Sequence, residues 1–233
     1  MWALNFIIPA EPKHDDELYR LVNLKPWDWD GERKQYNDDL VLQLLRQKPG
    51  AARVKYEFRT TRRGTTKLYP LFRIISLGAS LTTIKTCRRA HPEALSVART
   101  DVRGNALHTA CSFRSDISVV KYIHRKDSTL VREANKNRFT PLHLACAHGS
   151  SVEVVKFLIT RYPGALDIRN ILGETPHAAA VNNGASEEIL VALGSTFSSD
   201  GMSDTGNSSA SVSVPSLDST PPDPHPGGAT TSS

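Results

Sequence analysis

Residue types recur along this chain at steps of 35 and 36, and that period constrains the fold more than any bulk property. Leu71-Phe72, Leu107-His108 and Leu142-His143 follow one another at 36 and 35 residues, and a further 35 leads to His177-Ala178. The same steps connect Gly78, Arg114, Gly149 and Gly184, and likewise Ser80, Asp116, Ser151 and Ser186. Two apolar columns keep the register: Ile84, Val120, Val155 and Leu190, and Cys87, Ile123, Leu158 and Leu193. A fixed period of this length is the signature of a repeat architecture, in which one small unit cannot bury its apolar face alone and neighbours share a continuous core.

The third unit shows the physics of each. Thr140 offers a hydroxyl to a free first-turn amide, and Pro141 follows at the first helical position, where a missing N–H is harmless. Leu142, Ala145 and Cys146 form a face small enough for close helix packing, and Gly149 closes the helix. Ser151 is expected to cap a second helix, with Val152, Val155, Leu158 and Ile159 on one stripe, ending before Pro163. Asn105 and Thr175 take the capping role in their own units.

Thr140-Pro141-Leu142-His143-Leu144-Ala145, then Gly149, then Val152-Glu153-Val154-Val155-Lys156-Phe157-Leu158, resembles an ankyrin repeat. The resemblance covers Lys67 to Gly194, about four repeats, and implies an all-α repeat solenoid: ankyrin-like stacked helix pairs with projecting hairpin turns. Repeat one departs from the pattern with Tyr69-Pro70-Leu71-Phe72, repeat two with Asn105-Ala106-Leu107-His108, and repeat four with His177 at a leucine position. Repeat four also puts Glu187 in the column of Leu81, Ile117 and Val152, which suits a terminal unit.

Four segments are expected. Residues 1–35 have no assigned fold, although Asp15–Asn23 reads as a helix; Trp27-Asp28-Trp29-Asp30 has no assigned role. Residues 36–66 read as a partial capping repeat, with Leu40, Val41, Leu44 and Leu45 on one helical side, followed by a hairpin in which Val54, Tyr56 and Phe58 alternate with polar residues. Residues 67–194 are the array. Residues 195–233 are rich in Ser, Thr, Pro and Gly, have little to bury, and are expected to be disordered.

Charge is uneven. The tail's four acids, Asp200, Asp204, Asp218 and Asp223, meet no Lys or Arg, so the body carries +9 where the whole chain carries +5. From Arg46 to Arg73 there are nine basic residues against the single acid Glu57. A basic body favours acidic partners without choosing among protein, nucleic acid and membrane surface. Three cysteines are too few for a disulfide framework, Met1–Ile8 lacks the build of a secretory signal, and no run is long enough to span a membrane. The expectation is an intracellular protein, cytoplasmic or nuclear.

Two constellations invite a chemical reading. His108-x-x-Cys111 and His143-x-x-Cys146 have the look of metal ligands, but stacked helices lie ~8–10 Å apart while zinc ligands sit about 2.0–2.3 Å from the ion. The resemblance gives those histidines another task, bracing the turns between repeats. As nucleophile and base the same pairs lack a third orienting group, and apolar surroundings raise a thiol pKa. The expectation is therefore no enzyme, no metal and no cofactor.

The leading expectation is an adaptor or scaffold for an unidentified protein, one with an acidic surface. By the resemblance, recognition falls to the turn residues Arg103, Lys136, Asn137 and Arg138, to Phe113 and His148 at matching positions late in the first helices, and to Arg62 and Arg63 of the long hairpin. The alternative is nucleic acid or another polyanion gripped by the basic hairpin around Arg59, Arg62, Arg63 and Lys67, with Tyr56, Phe58 and Tyr69 as rings for stacking.

Overall fold

The structure is a computed structural model and describes residues 16–59, 65–97 and 104–194. Helix starts fall where the side chains supply an acceptor. Asn37 Oδ1 accepts from the Leu40 amide at 3.0 Å and starts α2, Asp38–Gln47. Ser80, Asn105, Asp116, Thr140 and Thr175 do the same for α4 (Leu81–Ala90, followed by the short α5, Ala94–Val97), α6 (Ala106–Ser112), α7 (Ile117–Lys126), α8 (Pro141–Ala147) and α10 (Pro176–Asn182). Ser151 departs from expectation. It stands before α9, Val152–Arg161, but makes no capping bond; its hydroxyl interacts with the Glu153 carboxylate, whose pKa it helps to lower. Proline opens α3 (Pro70–Leu77), α8 and α10.

First helices close on a left-handed residue. Gly78, Gly149 and Gly184 have φ of 85°, 68° and 65°. In repeat two the position belongs to Arg114 at φ 55°, an arrangement that strains a residue bearing a Cβ. The backbone amides still satisfy the helix end: Ser150 N–H donates to the Ala145 carbonyl at 2.9 Å, and Ser115 N–H to Ala110 at 2.9 Å.

Two layers result. First helices α3, α6, α8 and α10 pack in sequence, and second helices α2, α4, α7, α9 and α11 (Glu187–Gly194) pack in sequence behind them. The small faces Ala106-Ala110-Cys111, Ala145-Cys146 and Ala179-Ala180, all buried, let the first helices approach. One core cluster runs from Leu18 to Leu193. The chain is an all-α repeat solenoid; the strands described are β1 (Tyr56–Arg59) and β2 (Thr65–Leu68), an antiparallel pair with Tyr56 opposite Leu68.

Ahead of the array, α1 (Asp16–Val22) touches both α2 and α3, the place a first helix takes in later units. Leu18 and Val22 are fully buried. Tyr19 lies 5.7 Å from the Tyr56 ring and 5.8 Å from Phe58. At the other end, His177 and Glu187 are exposed, whereas the leucines of the column that His177 interrupts are buried and Leu81, Ile117 and Val152, in the column of Glu187, are half-buried. The expected disorder of residues 195–233 lies outside the described residues.

Since each unit is held by its neighbours, a central cavity and a strained turn should differ in severity. Leu107→Ala, at a fully buried site, is expected to lower stability by roughly 2–5 kcal/mol. Gly149→Ala, with its nearest contact at an ordinary 3.5 Å, should lose only about 1 kcal/mol to left-handed strain. Urea unfolding midpoints compare the two.

Candidate interaction surface

Three asparagines shape the loops before the first helices. Asn135 Oδ1 accepts from the amides of Asn137 (3.0 Å) and Phe139 (2.9 Å), and Asn170 Oδ1 accepts from Leu172 (2.8 Å) and Glu174 (3.0 Å). These side chains replace backbone partners and fold 135–139 and 170–174 into tight fingers. Left-handed Arg138 (φ 61°) and Gly173 (φ 77°) complete them. The fingers are joined, because the Ile171 amide donates to the Asn137 carbonyl at 3.0 Å. Asn105 reaches forward, its Nδ2 donating to the Leu130 carbonyl at 3.0 Å and to Glu133 at 2.9 Å.

Two histidines fix the fingers to the helices. The Asn105 amide donates to His108 Nδ1 at 3.2 Å, and His108 Nε2 donates to the Phe139 carbonyl at 2.9 Å. His143 repeats this one unit on, with Thr140 N–H at 3.2 Å and the Glu174 carbonyl at 3.1 Å. Both ring nitrogens are committed in each, so neither ring offers a lone pair to a metal. Burial holds His108 down to about 4 and lowers His143 as well, against the pull of the carbonyls they bond. Both are therefore neutral near pH 7, the form this bonding pattern requires.

The cysteines beside them are inert. Burial pushes the Cys146 and Cys87 thiols up to about 12, and Cys111 is raised too, by burial first and then by Cys146. A groove of about 310 Å³ between α1 and α2, lined by Leu21, Leu40 and Leu44 among polar neighbours, contains none of these histidines or cysteines. No cluster of three metal-ligating side chains occurs among the described residues.

The structure separates the residues expected to bind. Lys136 and Arg138 are exposed and Asn137 half-buried on the finger before α8. Phe113 (half-buried) and His148 (exposed) are the C-caps of α6 and α8. A seven-residue helix of about 10 Å lies between finger and cap, so these are two ends of one surface, not one cluster. Lys67 is exposed on β2. Arg59 ends β1, its side chain outside the described residues; Arg62, Arg63 and Arg103 lie outside them altogether. Of the rings expected to stack, Tyr56 and Phe58 are fully buried and Tyr69 is half-buried, edge-on to His91 at 4.4 Å.

Two features escape a reading of the sequence. The finger before α10 ends in Ile171 and Leu172, each 64% exposed, beside the cationic finger of repeat three. At the cap end, residues 25–35 form a strap. Asp28 turns it by accepting from Gly31 and Glu32 amides, both at 3.0 Å. Arg33 then reaches the Phe113 carbonyl at 3.4 Å while its guanidinium sits 3.5 Å above the Trp29 ring. Arg114 approaches that ring at 5.5 Å and donates through Nε to the His148 carbonyl. Burial, and then the Arg114 charge, lower Arg33 to about 10. The Trp29 role left open by the sequence is this cation-flanked cover on repeat two.

Residues 71–170 match the family model for ankyrin repeats, three copies. The chain carries ankyrin repeats. The pair α10–α11 continues the stack beyond the matched residues. No curated protein matches the chain. Ankyrin repeats in general mediate protein–protein interaction and are typically non-enzymatic binding modules. Among the described residues no helix is long and apolar enough to cross a membrane.

The histidine braces make stability depend on pH. His108 takes up protons near 6.5 when unfolded but only near 4 when folded, so between those values the unfolded chain binds more protons and acid favours it. Stability is expected to hold above about pH 6.5 and to fall as pH drops toward 4, by on the order of 3 kcal/mol from this buried residue. Urea midpoints taken across that range should show the slope, and His108→Gln should flatten it while lowering the plateau.

Proposed function

We propose that this ankyrin array is an adaptor or scaffold that captures an extended segment of a protein partner along the fingers of repeats three and four. One observation carries the reading: the exposed Ile171-Leu172 tip is hydrogen-bonded at 3.0 Å to the finger that presents exposed Lys136 and Arg138. An apolar anchor beside two cations suits an aliphatic or aromatic side chain flanked by carboxylates. Burying the anchor would supply affinity, and the cations would select register and speed encounter. Arg103 and the hairpin residues Arg59, Arg62, Arg63 and Lys67 are proposed to add their positive charge to the field that attracts this segment. His148 is proposed to border the segment at the cap end; the Phe113 carbonyl is already engaged by Arg33.

Two facts weigh toward a protein partner over nucleic acid. Tyr56 and Phe58 are consumed by the core with Tyr19, so the hairpin lacks the open rings on which bases stack. The most exposed anchor is aliphatic, which suits a side chain better than a phosphate backbone.

The test is a pull-down from lysate with the full chain, with and without nuclease. Ile171→Asp/Leu172→Asp is expected to abolish capture of the retained proteins, and Lys136→Glu/Arg138→Glu to weaken it by roughly tenfold. Circular dichroism should not change, since these side chains are exposed. Capture unaffected by the Asp pair, or abolished by nuclease alone, would sink the proposal.

A further inference from the structure

The second helices carry a charge pattern unrelated to the fingers. On α4 stand Lys85, Arg88 and Arg89, with no acid; on α7 stand Lys121, Arg125 and Lys126, again with no acid. Helix α9 adds Lys156 and Arg161 against Glu153 alone. These three helices pack side by side. Among the described residues none of these cations forms an ion pair.

Helix-end electrostatics explain only part of this. Arginines in the last turn answer the negative end of the helix dipole. Lys85, Lys121 and Lys156 are fifth in their ten-residue helices and lie outside that reach. Two of them sit four residues before an arginine, Lys85 before Arg89 and Lys121 before Arg125. That spacing places like charges as surface neighbours, where they repel. The fold thus carries repulsion that an acid at either position would turn into attraction.

The cations also converge. Tyr122 is almost wholly buried at the α4–α7 seam. Its hydroxyl accepts from Arg88 Nε at 2.8 Å. Around its ring lie Lys85 at 5.8 Å, Arg125 at 5.7 Å and Lys126 at 5.7 Å. At the next seam Phe157 is held edge-on by His124 at 5.4 Å and covered by Arg161 at 5.2 Å. Asp127, the acid directly after α7, already accepts from the Thr129 amide and hydroxyl.

We propose that this face of α4, α7 and α9 is a second interaction surface, which takes an extended Asp/Glu-rich segment of a protein partner across the Tyr122 cluster. An extended chain sets same-side carboxylates about 7 Å apart, close to the ~5–6 Å between i and i+4 positions and the ~8–10 Å between helices. Duplex DNA, with one charge per ~1.7 Å of axis, would leave most of its phosphates unmatched over that width. Single strands need open rings, and Tyr122 is buried. Membrane insertion needs exposed apolar side chains; among the described residues the large ones, Trp29, Leu40, Ile171, Leu172 and Val181, lie off the second helices α4, α7 and α9, and Val191, in the column of Lys85, Lys121 and Lys156, stands alone on α11.

The probe is a fluorescein-labelled oligoglutamate of about ten residues, long enough at ~3.3 Å per residue to cross the three helices. It is titrated by anisotropy against the full chain, beside duplex DNA and phosphatidylserine vesicles. The informative variant is Lys85→Glu/Lys121→Glu, which places an acid four residues before each arginine. Its melting temperature is expected to stay level or rise, while peptide affinity falls about tenfold or more. Lys136→Glu/Arg138→Glu should leave peptide affinity nearly unchanged. Peptide binding that survives the Lys85/Lys121 pair, or is lost only with the finger pair, overturns the second surface without touching the finger reading. Tighter binding of duplex DNA or vesicles than of peptide by this face overturns it too.

Discussion

A histidine ring nitrogen that donates to a carbonyl 31 residues away joins each braced first helix to the finger of the next unit. Much else follows from that bond. It sets the distance between units, and it holds the finger at a fixed angle to the helix. It also requires a neutral ring in a buried place, which is why the array is expected to lose stability in acid. His108 and His143 form two rungs of this kind; Phe72 and Ala178 occupy the same column in the outer units and make none. The braced middle is therefore where the fingers before α8 and α10 are most firmly placed, and those are the fingers that carry the cationic and apolar tips.

The same stack presents two unlike surfaces. The finger side mixes apolar and cationic groups on tight, asparagine-braced turns. The second-helix side is cationic over α4, α7 and α9, where Glu153 is the one acid within those helices. Trp29 and Arg33 close the cap end of repeats one and two by satisfying the Phe113 carbonyl. Arg114 keeps a left-handed backbone where other units use glycine, and its side chain explains the exception. A glycine there would relieve strain but could neither cover Trp29 nor reach the His148 carbonyl.

The repeat period, the helix pairs and the braces were legible because each depends on residues within one period. A cap, its first turn and an apolar stripe are local, and repetition separates signal from chance. Ser151 shows the limit: position alone names it a cap, yet its hydroxyl makes no capping bond. The rings of the hairpin show another. Tyr56 and Phe58 alternate as a half-buried strand should, and only α1, nearly forty residues earlier, decides which face is covered. Trp29 could not be placed at all, since Phe113 and Arg114 lie some eighty residues beyond it in the chain.

By itself, then, the sequence determined the class of fold and the repeat positions near each cap, because these rest on spacing and turn chemistry that one unit and its copy reveal, and its ankyrin resemblance implied the bracing role of His108 and His143. Tertiary structure alone decided which basic residues share a face, which rings remain open, and that Ile171 meets Lys136 and Arg138 across two fingers. Those outcomes depend on how units stack, and stacking brings together side chains whose separation in the chain carries no period-two or period-3.6 signal.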